Sequence, residues 1–208
     1  MNVAIGDGHV FKRSVGVFER AEQTCIAAQG DAIVLRIDQA VANDHVTAGV
    51  NVNAIAVADA LEKHGMDARV LSAVEMNKFC EYFTRDTADR YLNEGKVVIF
   101  AAGTGNPYFS TDTGAVLRGV EIEADAILMA KNVDGIYSAD PNVDPTAVKF
   151  DKLTYDEVLA RHLKATDTTA MTLAMDNHMT LVCFALKDPE NIYRVVCGEA
   201  IGTTVKED

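Results

Sequence analysis

The sequence predicts an α/β protein, built as a three-layer α/β/α sandwich around a mostly parallel sheet. Two continuous apolar runs, at 97–101 and 126–130, have the length and composition of strands that are buried on both faces. Segments with helical spacing alternate with such runs along the chain, which is the order that βαβ units require. The sequence has no internal repeat, low-complexity tract or long linker, so residues 1–208 are expected to form a single domain.

The remaining candidate strands are short. Each is an apolar or β-branched run bounded by glycine or by polar turn residues. They cover residues 1–5, 68–71, 180–185 and 202–206. The apolar run at 33–35 is too short to classify, although it is the best strand candidate within residues 14–36.

The candidate helices are recognised by their ends. Residues 51–64 carry apolar side chains at helical spacing and are followed by a glycine, as are residues 84–94. Thr154 and Glu157 form a capping-box pattern, which predicts a helix from about 155 to 162. Two further helices are predicted from their first residues, which are Asp167 or Thr168 for one and Pro189 for the other.

Composition and charge narrow the class of partner. Of the 208 residues, 49% are apolar and 24% are charged, which suits a globular protein with a sizeable core. The net charge of −12 disfavours a nucleic-acid backbone or an anionic membrane surface as the partner, but leaves room for a nucleotide in a locally positive pocket. No apolar stretch is long enough for a membrane span and no leader pattern is present, so a cytoplasmic protein is expected.

The four cysteines are widely spaced, at Cys25, Cys80, Cys183 and Cys197. Cys183 and Cys197 lie in apolar surroundings, and they are interpreted as reduced core residues. We therefore expect neither a disulfide framework nor a metal site formed by the protein's own side chains.

The most informative segment is 102–112, which follows the apolar run at 97–101 and precedes a helix-like segment. Glycines let the backbone approach a ligand closely, and Ser110, Thr111 and Asp112 lie where a helix N-terminus is expected. The free N–H groups and partial positive charge of such a terminus suit an anion. The alternative is an ordinary strand-to-helix loop in which Asp112 is the helix cap.

Residues 104–112, with the sequence Thr-Gly-Asn-Pro-Tyr-Phe-Ser-Thr-Asp, resemble the nucleotide-monophosphate loop of bacterial uridylate (UMP) kinases, in the amino acid kinase superfamily. The resemblance continues through 118–125 and 131–141, and it is close over 43–208, whereas residues 1–42 diverge. The Val-Asp-Gly-Ile-Tyr segment is common to many amino acid kinases, but the Thr-Gly-Asn-Pro run is more particular to uridylate kinases. The resemblance implies an amino acid kinase-like fold.

The resemblance also implies an activity, the transfer of the ATP γ-phosphate to UMP with Mg²⁺ to give UDP. Asp112 would be the catalytic residue beside the reacting phosphoryl group, where it orients that group or organises a magnesium shell. The residues implied for UMP binding are Asp7, Asp44, Thr104, Gly105, Asn106, Pro107, Tyr108, Phe109, Ser110 and Thr111. Those implied for ATP binding are Gly8, Lys12, Lys131, Tyr137 and Asp140.

Residues 6–12 depart from the glycine-rich loop of the family. Asp7 replaces a glycine and brings a negative charge beside the phosphates, and Lys12 replaces an arginine and loses its bidentate fork. Asp44, just before the first predicted helix, stands where the family has an aspartate that binds the UMP ribose. A helix N-cap is an equally good interpretation of Asp44.

The Lys-x-Ser-Gly motif of uridylate kinases, whose lysine approaches the transferred phosphoryl group, does not occur in the sequence. The family's first strand, first helix and phosphate lysine are therefore expected to be absent, as in a truncated, rearranged or redesigned chain, and Lys12 or Lys131 is a candidate replacement. Two alternatives stay open: a catalytically impaired nucleotide-binding homologue, and an amino acid kinase that phosphorylates a carboxylate. The family's assembly implies a homo-oligomer, possibly a hexamer.

Overall fold

The computed structural model describes residues 3–6, 33–36, 44–163 and 166–207. The strands in these ranges are β1 (Val3–Gly6), β2 (Ile33–Arg36), β3 (Ala68–Ser72), β4 (Glu81–Tyr82), β5 (Val97–Ala101), β6 (Ala126–Lys131), β7 (Ile136–Tyr137), β8 (Lys149–Phe150), β9 (Lys152–Thr154), β10 (Leu181–Ala185) and β11 (Thr203–Lys206). Nine of them form a sheet in the order β4-β3-β5-β2-β1-β6-β10-β11-β9, and β7 pairs with β8 separately. Within the large sheet, every neighbouring pair is parallel except β10 and β11.

Helices cover both faces of this sheet. They are α1 (Asp44–Lys63), α2 (Arg85–Asn93), α3 (Thr111–Glu121), α4 (Tyr155–Ala160), α5 (Thr168–Asp176) and α6 (Glu190–Val196). Buried side chains of α2, α3, α4 and α5 join one apolar cluster, and those of α1 and α6 join a second. The predicted three-layer α/β/α architecture is therefore confirmed.

Successive residues of the central strands belong alternately to the two apolar clusters. On β5, Val98 and Phe100 belong to the first cluster, while Ile99 and Ala101 belong to the second. Successive residues of a strand point to opposite faces, so a strand covered on both sides must be apolar throughout. This requirement explains the continuous apolar run, which β6 repeats.

Local capping signals place most helix starts where the sequence predicts them. Thr84 caps α2, Asp167 caps α5, and Thr154 with Glu157 forms a complete capping box at α4. The first predicted helix begins earlier than expected: α1 starts at Asp44 and not at residue 51.

The cysteine prediction is half right. Cys183 is buried and free, and burial raises the pKa of its thiol to about 12, so that it stays protonated. Cys197 is exposed and disulfide-bonded, so the expectation of a reduced core residue is wrong there. The residue follows the last turn of α6, whose apolar face turns Ile192 and Val195 inward and leaves the helix end outside the core.

The topology brings the carboxyl ends of the central strands to one edge of the sheet. In the register, Gly6 of β1 pairs with Met129 of β6, and Lys131 of β6 pairs with Ala185 of β10. Open parallel sheets bind ligands at this edge, in the loops that follow the strands. The loop between β5 and α3 and the segment after β6 both lie here. In the part of the chain that is described, no helix is both long and apolar enough to cross a bilayer.

Candidate functional site

The loop between β5 and α3 is held in an unusual backbone conformation. Ala102, Gly103, Gly105 and Tyr108 all have positive φ, at 63°, 60°, 74° and 69°. A Cβ added to Gly105 would lie 2.7 Å from the carbonyl oxygen of Ala73, so this position needs a glycine for space as well as for φ. Non-glycine residues in this region of φ are strained and concentrate at ligand sites.

The tip of this loop offers aromatic rings to a ligand. Residues 105–109 are exposed, and the side chains include Tyr108, which is 102% exposed, and Phe109, which is 49% exposed. Thr104 and Asn106 shape the tip from within, since the Asn106 N–H donates to Thr104 Oγ1 at 3.1 Å. Two adjacent exposed aromatic side chains on a well-defined loop form a surface on which a planar ring could stack.

Ser110, not Asp112, caps α3. Its hydroxyl accepts a hydrogen bond from the Thr113 N–H at 3.1 Å, while Thr111 is the first residue of the helix and Asp112 the second. The interpretation of Asp112 as a plain helix cap is therefore wrong. Its carboxylate lies in the first turn of a helix whose N-terminus favours negative charge.

Asp112 is paired with the last residue of β6. Lys131 Nζ lies 2.5 Å from Asp112 Oδ1 and also contacts Oδ2. The side chains are 22% and 17% exposed, so the pair lies at the surface of the site and not in the core. The structure thus brings together the residue predicted to be catalytic, Asp112, and a residue predicted to bind ATP, Lys131.

Asp167 joins the site from the other side, and the sequence predicted it only as a helix cap. Its carboxylate caps α5 by accepting from the Ala170 N–H at 2.9 Å, and it also accepts from the hydroxyls of Ser110 and of Thr113, the latter at 3.0 Å. Burial raises the pKa of Asp167, but these hydrogen bonds outweigh burial and lower it overall. One carboxylate therefore ties the first turn of α3 to the first turn of α5. A sequence signal for this link is lacking, because its two ends lie more than fifty residues apart.

Arg118 is a buried residue that holds the loop between β5 and α3 in place. It is 5% exposed, its guanidinium lies 3.8 Å from the centre of the Phe83 ring, and it pairs with Glu121. It also donates to the carbonyl oxygen of Gly103 at 3.2 Å, which fixes the loop where it leaves β5. Sequence reasoning did not single out this residue.

The segment after β6 carries two more of the residues predicted for ATP, Tyr137 and Asp140. Tyr137 donates from its hydroxyl to Asp134 at 2.7 Å, and this bond, with a contribution from Lys149, lowers the pKa of Asp134. Asp140 is exposed and accepts from the Asn142 N–H at 2.9 Å within its own turn. Both residues lie on the chain that continues from the site, and their roles in binding stay predictions.

Some predicted residues fall elsewhere. Asp7, Gly8 and Lys12 lie outside the described residues, and Asp44 is the first residue of α1. Pro107 lies in the exposed tip of the loop.

Among the described residues, no group of three or more His, Cys, Asp or Glu side chains is placed to hold a metal ion. A Mg²⁺ ion that is bound mainly through substrate phosphates needs only one or two carboxylates, and Asp112 fits that donor set.

Comparisons with known proteins agree with this arrangement. A sequence model described as the amino acid kinase family matches residues 16–185. The uridylate kinase of Streptococcus thermophilus strain LMD-9 is 55% identical over 158 residues, which are 76% of this chain and 64% of that protein. The uridylate kinase of strain LMG 18311 matches to the same extent. The chain thus spans 64% of the length of these curated relatives.

Solved structures show the same fold. The UMP kinase from Bacillus anthracis superimposes with a TM-score of 0.85 at 24% identity, covering 100% of this chain and 96% of that one. The UMP kinase from Ureaplasma parvum gives a TM-score of 0.84 at 27% identity, with coverage of 99% and 98%. The sheet and its helices are therefore those of an established fold.

Proposed function

Because the chain belongs to the amino acid kinase family, we propose that it transfers the γ-phosphoryl group of ATP to UMP, giving UDP. The observation that carries the choice of UMP is the 55% identity to a protein named uridylate kinase. The shape and charge of the site at the carboxyl edge of the sheet support the same choice.

The loop from Thr104 to Thr111 is the proposed UMP site. Its exposed rings at Tyr108 and Phe109 suit a flat base, and the first turn of α3 offers N–H groups and a partial positive charge to the phosphate. The Ser110 hydroxyl is occupied by Asp167, so we assign Ser110 to shaping the helix start. Asp7 and Asp44 remain proposed as further UMP contacts.

The proposed ATP site uses Lys131 at the end of β6, together with Tyr137 and Asp140 in the segment that follows. Gly8 and Lys12 are proposed to complete it. Asp112 follows the proposed UMP loop in the first turn of α3 and contacts Lys131 of the proposed ATP site, and it is the residue that we expect beside the transferred group. Phosphoryl transfer requires mainly positioning of two nucleotides and neutralisation of phosphate charge, and these residues can supply both.

Mg²⁺ is proposed as the metal that accompanies ATP. It would be held by Asp112 and the phosphates, and when bound it neutralises charge on the transferred group. Assembly into a homo-oligomer, possibly a hexamer, and a cytoplasmic location belong to the same proposal. The partners are small nucleotides, with no role for nucleic acid.

A coupled assay of UDP formation from MgATP and UMP tests the activity, with CMP and glutamate as alternative acceptors. We expect turnover that is selective for UMP. Turnover with glutamate and not UMP would replace the proposal by a carboxylate kinase. Absence of turnover with every acceptor, in a protein that still binds UMP by calorimetry, would replace it by a nucleotide-binding homologue without catalytic activity.

A further inference from the structure

Lys131 and Asp112 form an ion pair at the first turn of α3, where a nucleotide phosphate is proposed to bind. The first turn of α3 favours an anion, yet it already holds a carboxylate, and a nucleotide phosphate that arrives there would meet a like charge. Lys131 cancels the charge of Asp112 in the structure, with Nζ against both carboxylate oxygens. The pair is therefore neutral as a whole, and a phosphate gains the full attraction of the ammonium only if Lys131 turns away from Asp112.

Among the residues that the structure describes, the other cation near the loop is Arg118, and it is not available to attract the phosphate. Arg118 is 5% exposed and is committed to Glu121, the Gly103 carbonyl and the Phe83 ring. Lys131 is more exposed, at 22%, and its side-chain hydrogen bonds within the described parts of the chain go only to Asp112. A lysine ammonium on a flexible stem can turn to a new partner without rearranging the backbone.

We propose that Lys131 exchanges partners when nucleotide binds: its ammonium leaves Asp112 for a terminal phosphate oxygen of ATP, and the freed carboxylate becomes available to a divalent cation. This proposal rests on the proposed function, because it takes ATP as the ligand. Without ligands, Asp112, which can bind a cation, and Lys131, which can bind an anion, neutralise each other. Binding of either ion releases the partner for the other, so the two binding events are positively coupled.

The exchange has a distinctive signature in the absence of metal. Without Mg²⁺, ATP has to take Lys131 away from Asp112 and leaves the carboxylate unpaired beside the phosphates. Asp112→Asn removes this competition, so we expect Mg-free ATP, in excess EDTA, to bind the variant about tenfold more tightly than the wild type. We also expect Mg²⁺ to lose most of its strengthening effect on ATP binding in this variant.

The double variant separates the exchange from simple relief of repulsion. If Lys131 receives the phosphate, Asp112→Asn with Lys131→Gln loses the tenfold gain, and Lys131→Arg with Asp112→Asn keeps it. If the gain survives in the double Asn/Gln variant, the carboxylate merely repelled the phosphate and the proposal is overturned. Lys96→Gln is the matched control: Lys96 is 18% exposed, pairs with Glu94 at 2.7 Å, and lies before the start of β5, at the opposite edge of the sheet from Lys131. We expect no change in ATP binding from it.

Isothermal calorimetry with ATP, with and without Mg²⁺, is the primary measurement, and melting curves verify that each variant is folded. As a second readout, Lys131→Gln should lower kcat for UDP formation on the order of 10²-fold, as removal of one preorganised charge does. Wild-type protein that binds ATP with the expected coupling but makes no UDP would refute the proposed activity and leave the exchange intact. Wild-type protein that binds no ATP would overturn the exchange.

Discussion

Asp167 allows the sharpest test of how the site is held together, since a single carboxylate accepts hydrogen bonds from Ser110, Thr113 and the Ala170 N–H. Asp167→Ala removes the cap of α5, worth about 1 kcal/mol, and two hydroxyl bonds to a charged acceptor, worth roughly 1.5–3 kcal/mol each when fully buried. Asp167 is only half-buried, and water can replace part of these bonds. We therefore expect a loss of about 2–4 kcal/mol in the free energy of unfolding, or roughly 5–15 °C in Tm for a chain of this length.

Asp167→Asn keeps the shape of the side chain at this position but removes its negative charge. The amide can still cap the helix and accept one hydroxyl bond, so we expect about half the loss seen with alanine. Because the folded-state pKa of Asp167 lies below its usual value, the ionised carboxylate stabilises the protein above the unfolded pKa of about 4, and this contribution disappears as pH falls through the folded pKa. The difference between wild type and the Asn variant should therefore be constant from pH 5 to 8 and shrink below about pH 4.

Urea unfolding at a series of pH values measures both effects. Asp144→Ala is the control: the pKa of Asp144 is also lowered, but within the described residues its carboxylate accepts hydrogen bonds only from Thr146, in an exposed turn. We expect that variant to change the free energy of unfolding by less than about 0.5 kcal/mol. A Tm for Asp167→Ala within 2 °C or so of wild type would refute the reasoning, since it would show that the link between α3 and α5 contributes nothing.

Three further changes follow from the same geometry. Gly105→Ala forces a Cβ to 2.7 Å from the Ala73 carbonyl at φ +74°, so the KM for UMP should rise and stability fall by about 1–3 kcal/mol, as read from kinetics and melting curves. Thr154→Ala removes the capping box of α4, far along the chain from the loop, and should cost about 1 kcal/mol in urea unfolding while UDP formation stays unchanged; a drop in kcat would contradict the placement of the site. Tyr137→Phe removes the hydrogen bond that lowers the pKa of Asp134, so an NMR titration should find that pKa raised toward its usual value, and an unchanged value would show that another group holds it down.

The fold could be predicted where local chemistry determines it. The apolar runs of β5 and β6 permit only strands covered on both faces, and the caps at Thr84, Thr154 and Asp167 fix helix starts through hydrogen bonds that span three residues. The early start of α1 was not predicted from the sequence, because its first turns contain threonine, valines and a glycine, which are weak helix formers.

The arrangement of the site was harder to predict, because its contacts join residues that are distant in sequence. Asp112 and Lys131 could each be picked out, but nothing in their spacing says that the two charges meet. Asp167 had a complete local explanation as the cap of α5, which concealed its second role. β2 looked like an unclassifiable short run, and only its pairing with β1 and β5 makes it a central strand.

The strand order has a consequence for the synthesis of the molecule. β1 lies between β2, which follows after about 30 residues, and β6, which follows after about 120. At typical elongation rates of about 5–20 residues per second, β6 leaves the ribosome roughly 6–25 s after β1. Throughout this interval one side of β1 has unpaired N–H and C=O groups that could pair with another nascent chain. The yield of folded protein should therefore depend on translation speed and on how many chains are made at once.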